Sequence, residues 1–175
     1  IYTLSLHDAL PIYCIRFGEE ESVPFQIGDG IYEDAVEKML KFFYLQRCGE
    51  TLPETYAGNY AHPCCHDTKA KIYGTESTID VSGGWHDAGD FGRYIVPAAV
   101  TVADLLLMLE TNGDFGRMDS KIPVTDEKYH ALLTEIKYEL DWMLKMQDPV
   151  TKEVYHKVTC ASFCDFFMPE EEKEE

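Results

Sequence analysis

Residues 50–80 carry no sustained hydrophobic period and run on into a turn region that reaches residue 92, while periodic segments stand on either side. An irregular stretch of that length is uncommon inside a compact domain and is usually functional or braced by a metal. It contains Pro53, Gly58, Pro63 and Gly74, together with the cluster His62-Pro63-Cys64-Cys65-His66-Asp67. It ends in a glycine-rich turn region, Asp80-Val81-Ser82-Gly83-Gly84-Trp85-His86-Asp87-Ala88-Gly89-Asp90-Phe91-Gly92. Any fold for this chain must place that loop, with its thiols, imidazoles and carboxylates, among helices.

The helices are read from the 3.6-residue period. Residues 31–46 carry Val36, Met39, Leu40 and Phe43 on one face, and Gly49 stands where a C-cap is expected. Residues 97–110 are apolar enough for a buried helix, with Pro97 in its first turn. A third helix is expected from an N-cap at Thr125 to about Gln147, with Asp126 and Glu127 in its first turn. Its seam is read as Leu132, Ile136, Leu140, Met143 and Leu144, with His130 on the surface or in packing. Upstream, residues 13–27 alternate loosely around Gly18-Glu19, which suits one or two strands. The longest apolar run, residues 95–109, is broken by Pro97, Thr101 and Asp104 and is too short to cross a bilayer.

Charge narrows the partners. The 32 acidic and 15 basic residues give a formal net charge of −17. Such a surface repels phosphate backbones and anionic lipid, so neither nucleic acid nor membrane is an expected partner, whereas a neutral sugar polymer meets no barrier. Part of the excess is the run Glu170–Glu175, read as a solvated face. The six cysteines, Cys14, Cys48, Cys64, Cys65, Cys160 and Cys164, are compatible with disulfides, metal ligands or free thiols. Residues 2–12 read YTLSLHDALPI, which resembles one frame of a widely used short-read sequencing adapter. Residues 1–12, including His7 and Asp8, are therefore set aside as foreign and expected to pack against nothing.

Two constellations carry chemistry. Asp87 and Asp90 lie three apart among glycines, and paired carboxylates can share the holding and deprotonation of one water. Trp85 beside them offers a flat face suited to a sugar ring. On spacing alone, a calcium loop or a surface turn with a core tryptophan serves equally well. Cys48, Cys65, His66 and His86 are donors that suit a tetrahedral zinc, but a Cys48–Cys65 disulfide is the alternative, and His86 could instead face a cleft with Asp87.

The ordered set Phe43-Tyr44-Leu45-Gln46-Arg47-Cys48-Gly49, His62-Pro63-Cys64-Cys65-His66 and Asp80 through Tyr94 strongly resembles glycoside hydrolase family 9, the inverting cellulases and related β-glucanases. Tyr155-His156-Lys157-Val158 and Met168-Pro169-Glu170 look like later landmarks of that family. The likeness runs from about Ser22 to Glu172. It implies an all-α chain forming the N-terminal part of an (α/α)6 barrel over residues 29–175, preceded at residues 13–28 by the remnant of an immunoglobulin-like module. It implies hydrolysis of β-1,4-glucosidic bonds with inversion, endo-acting, in a secreted enzyme that can carry further modules. Asp90 would be the general base, Asp87 its partner in holding the water, and Trp85 a substrate contact. Cys48, Cys65, His66 and His86 would hold a structural zinc, with calcium sites elsewhere in the family's domain. The family's acid, a late glutamate, has no counterpart in this chain, so these 175 residues on their own are expected to be inactive. The rival readings are a zinc-braced, non-catalytic carbohydrate-binding module and a hydrolase centred on the zinc.

Overall fold

The computed structural model describes residues 12–28, 30–111, 113, 121–124, 129–163 and 165–172. The chain divides into two units, Ile1–Val36 and Glu37–Glu175. In the first, β1 (Ile12–Tyr13) pairs antiparallel with β4 (Phe25–Gln26), and β2 (Arg16–Phe17) with β3 (Glu20–Glu21). The two ladders are nested about the Gly18-Glu19 turn, where Gly18 has φ 63°. That is the hairpin expected from the alternation. The expectation for residues 1–12 fails at its last position, because Ile12 pairs with Gln26; residues 1–11 lie outside the described residues.

Three long helices follow, as the periodicity indicated: α1 (Glu33–Leu45), α3 (Ile95–Thr111) and α4 (Ala131–Lys145), with a single turn α2 (Glu54–Ala57) between the first two. Short antiparallel ladders join β5 (Ala70–Lys71) to β6 (Thr78–Ile79) and β7 (Arg93–Tyr94) to β8 (Lys157–Val158). Strands of two residues leave no readable period, so the sequence showed none of these four. The β7–β8 ladder is the more consequential, because it ties the end of the glycine-rich turn to residues more than sixty positions later.

Three helix readings need correction. Gly49 is not the C-cap of α1, which ends at Leu45. It adopts φ +78°, and a Cβ there would lie 2.6 Å from the Gly83 backbone nitrogen, so the position serves a close approach of two loops. Helix α3 is not buried all round: Val102 is interior, yet Val96 is 69% exposed and Leu107 55%. One face packs on α4, and the apolar character of the other has no packing partner among the described residues. Helix α4 starts at Ala131, where His130 is the N-cap and its side chain accepts from the Leu133 N–H; residues 125–128 are outside the description.

The face that α4 buries is also rotated from the expected seam. Leu132 and Ile136 are interior, but Leu140 and Leu144 are exposed. Their places are taken by Glu135, Glu139, Trp142 and, just past the helix, Met146. Trp142 and Met146 pack with Ala70, Val81 and Val158, so this face closes over the irregular loop and the β8 segment. A second cluster, Tyr44, Leu52, Ala57, Ile122 and Ala131, joins α1 to α2 and the start of α4.

Candidate functional site

The site begins where α1 ends. Arg47 and Trp85 form an isolated antiparallel bridge, flanked by hydrogen bonds from Cys48 N–H to the Gly84 carbonyl (2.8 Å) and from His86 N–H to the Gln46 carbonyl (2.8 Å). Successive side chains along such a pair point to opposite sides. Arg47 and Trp85 therefore face α4, and Cys48 and His86 face the other way.

On the α4 side, both side chains meet one carboxylate. Glu135 accepts from Arg47 Nη2 at 2.9 Å, from Arg47 Nε at 3.1 Å and from Trp85 Nε1 at 2.8 Å. Glu135 is fully buried, and burial pushes its carboxyl up while the Arg47 guanidinium opposes that. Arg47 is also sandwiched between the Tyr44 and Tyr138 rings and donates to Glu50 at 2.9 Å. The Tyr138 hydroxyl in turn donates to the Cys48 carbonyl. Trp85 thus departs from its expected role: it is 8% exposed, tilted against Phe43 at 4.9 Å, and its N–H is satisfied internally. The indole is a structural tie between the loop and α4, with no free face for a sugar ring.

On the opposite side, donor atoms of Cys48, Cys65, His66 and His86 all lie within 4.8 Å of one another, and all four residues are buried. His86 Nε2 is 3.9 Å from Cys65 Sγ, so His86 faces this cluster and not a cleft. The Cys65 thiol is held far below the ordinary thiol range by Cys48, with His66, His86 and the Gly49 backbone adding to the effect. Burial keeps the His86 imidazole on the neutral side, against the pull of Cys65. Thiolate and neutral imidazole are the forms that bind metal. Two sulfurs and two imidazole nitrogens converging in a buried pocket fit one ion as a closed four-ligand site. No disulfide joins Cys48 to Cys65, so that alternative does not form. Cys64 is half-buried outside the cluster, pointing at the Cys65 carbonyl (3.8 Å), and His62 bonds to the Pro63 carbonyl (2.7 Å).

One member of the acidic run also reaches the cluster. Glu172 Oε2 lies 3.2 Å from His66 Nε2, with side chains 6% and 2% exposed. Glu172 is therefore no part of a solvated face, contrary to the reading of residues 170–175; residues 173–175 lie outside the description.

The carboxylate turn follows directly from His86. Asp87 N–H donates to the Gly92 carbonyl (2.8 Å), and Phe91 N–H to the Ala88 carbonyl (3.1 Å). Phe91 adopts φ 51°, unusual for an aromatic residue. Its ring packs on His86 (5.2 Å), His66 (6.1 Å) and Phe167 (6.4 Å), which anchors the turn to the donor cluster. Asp87 is exposed. Asp90 is half-buried, and its Oδ2 accepts from the Tyr94 hydroxyl at 2.7 Å. That bond raises the Tyr94 phenol above its ordinary value, so the hydroxyl stays a donor. The other oxygen, Asp90 Oδ1, is buried with no hydrogen-bond partner among the described residues. A Cβ on Gly92 would come within 2.7 Å of the Tyr94 hydroxyl oxygen and 2.9 Å of Asp90 Oδ2, so the glycine leaves room for that bond.

Tyr94, Glu135 and Glu172 were missed as site residues from sequence. A signal existed for Glu135: it shares a helical face with Leu132, Ile136, Glu139 and Trp142, an acidic pair four apart inside an apolar stripe. Nothing local marked Glu172. His156 is exposed and lines an open cavity of about 1000 Å³ with Tyr73, Tyr155 and Cys160. Cys164 is outside the described residues. Also among these residues, no helix is long and apolar enough to cross a membrane.

Comparison with known proteins places these features in context. Residues 32–175 match the family model described as glycosyl hydrolase family 9. A cellodextrinase of Butyrivibrio fibrisolvens is 42% identical over 167 residues, covering 93% of this chain and 30% of the cellodextrinase. The solved structure of AaCel9A with a cellobiose-like isofagomine superposes with a TM-score of 0.81 at 41% identity, covering 95% of this chain and 32% of that one. A Zn-binding triple mutant of the family 9 endoglucanase J30 superposes with a TM-score of 0.76 at 35% identity, covering 92% and 32%. The chain thus spans about 30% of the length of the curated relative it matches.

Proposed function

Because this chain belongs to glycosyl hydrolase family 9, we propose that the protein carrying it hydrolyses β-1,4-glucosidic bonds in cellulose or a related β-glucan, with inversion at the anomeric carbon. The observation that carries this reading is the asymmetry of Asp90. One carboxylate oxygen is fixed by the Tyr94 hydroxyl, and the other is buried with no hydrogen-bond partner among the described residues. A carboxylate held in that way is oriented to accept a proton from a water placed at its second oxygen. Asp87, on the same turn and exposed, is the partner that helps hold that water. The inverting geometry needs the acid and base about 6.5–9.5 Å apart so that the water fits between base and sugar. The resemblance puts the proton donor on a late glutamate of the family's domain.

The four-donor cluster is read as a structural zinc site. Cys48, Cys65, His66 and His86 supply as many ligands as a tetrahedral ion takes, which suits a brace and not a reaction centre. When bound, zinc supplies folding energy and cross-links the end of α1 to the loop that carries Asp87 and Asp90. The protein's own residues do the rest: Phe91 transmits the position of His86 and His66 to the turn, and Tyr94 aims Asp90. The helices belong to an (α/α)6 barrel in this reading, the β1–β4 hairpin closes an immunoglobulin-like module, and the enzyme is secreted and endo-acting.

The test is Asp90→Asn in the full-length protein, assayed on soluble cello-oligosaccharides with the anomer of the product followed by NMR. The expected result is a loss of turnover of at least ~10²-fold with zinc content and oligosaccharide binding retained. Near-normal turnover, or a product of retained configuration, would overturn the assignment.

A further inference from the structure

We propose that Glu172 is the outer-sphere carboxylate of the four-donor cluster, fixing the His66 ring through Nε2 and leaving Nδ1 as the nitrogen that binds the metal. The proposal rests on reading that cluster as a zinc site. Three observations support it. The pair is 3.2 Å apart and lies deep inside, with side chains only 2% and 6% exposed. A buried carboxylate requires a compensating partner, and His66 is the group it faces. His66 also sits in a left-handed backbone conformation, φ 46°, between Cys65 and the exposed Asp67. Such a conformation persists only where tertiary contacts hold it, and the contact with Glu172 is one of them.

The segment that delivers Glu172 is itself built for the purpose. Met168 N–H donates to Glu171 Oε2 at 3.1 Å, and Glu171 N–H to the Met168 carbonyl at 2.9 Å, closing a 3-10 turn over Pro169–Glu171. Glu172 follows in extended conformation and points its carboxylate at the ring. Phe167, just before the turn, packs on Phe91, which lies against both histidines. Residues 167–172 thus strap the cluster, with Glu172 arriving 106 positions after His66.

A carboxylate on the remote nitrogen of a ligating imidazole fixes its tautomer and raises its basicity, and removing such a partner commonly lowers metal affinity ~10–100-fold. The experiment compares full-length wild type, Glu172→Gln and Glu172→Ala by chelator competition for zinc, and records absorption spectra of the cobalt-substituted forms. Affinity should fall ~10–100-fold for Glu172→Ala and by less for Glu172→Gln, whose amide oxygen still accepts from Nε2. The cobalt–thiolate bands should keep their intensity in all three, because the ligand set is unchanged. Zinc affinity within twofold of wild type in both variants would overturn the role of Glu172, as would a collapse of the cobalt bands, which would make Glu172 a ligand. A wild-type protein that takes up no zinc would sink the metal reading and this proposal together. Neither readout requires glucan turnover, so failure here is separable from failure of the hydrolase assignment.

Discussion

Replacing Arg47 by methionine would strip Glu135 of its charge partner while leaving the carboxylate in place. Arg47 is 2% exposed at its side chain and Glu135 0%. The guanidinium reaches the carboxylate through Nη2 at 2.9 Å and Nε at 3.1 Å, leaving only the Trp85 indole N–H at 2.8 Å once it is gone. Breaking a buried ion pair from one side costs ~3–5 kcal/mol, because a charge is left without compensation. At a urea dependence of about 2 kcal/mol/M, that loss moves the unfolding midpoint down by about 2 M. The double variant Arg47→Met/Glu135→Leu removes the stranded charge as well, and its main defect is the orphaned Trp85 N–H, worth ~1–3 kcal/mol. Urea unfolding of the zinc-saturated full-length protein at pH 7 should therefore rank wild type first, the double variant second and Arg47→Met last. An Arg47→Met loss below about 1 kcal/mol would refute the reasoning, since the pair would then be no better than a surface one. A double variant less stable than the single would refute it too.

Two further outcomes are expected. Gly92→Ala puts a methyl group 2.7 Å from the Tyr94 hydroxyl oxygen; because that ring can swing away, the melting temperature should change little while kcat falls ~10-fold or more through the lost Asp90 bond, and Tyr94→Phe should match it. Unchanged kcat in both variants would remove Tyr94 from the site. Burial pushes the Glu139 carboxyl from 4.5 up to about 8, against the Trp85 backbone and Arg93, and among the described residues neither oxygen has a partner at hydrogen-bonding geometry. The folded chain keeps that proton where the unfolded chain has released it, so this contribution to stability is full below about pH 4.5 and lost as pH climbs through about 8. Glu139→Gln should flatten that slope in urea midpoints measured at pH 5, 6.5 and 8; parallel curves for wild type and variant would count against it.

The amino-acid order alone determined which segments are helical, because the apolar period is a local property of residues 33–45, 95–111 and 131–145. It also determined the β-hairpin turn, since Gly18 tolerates a positive φ that other residues resist. The donor types of Cys48, Cys65, His66 and His86 were equally legible, as chemistry belongs to the residue. Their convergence was not. Whether Trp85 faces a substrate or the interior depends on a one-residue register in its bridge with Arg47, and a shift of one position would exchange the indole with His86. The rotation of α4 depends on the same contact: Glu135 can occupy the interior only because Arg47 and Trp85 arrive there to bind it. Glu172, adrift in an acidic run by sequence, becomes a partner of His66 because the β7–β8 ladder and the turn at 169–171 return the chain to the cluster. Local propensity sets elements, but the direction of a side chain is decided by what the tertiary fold brings against it.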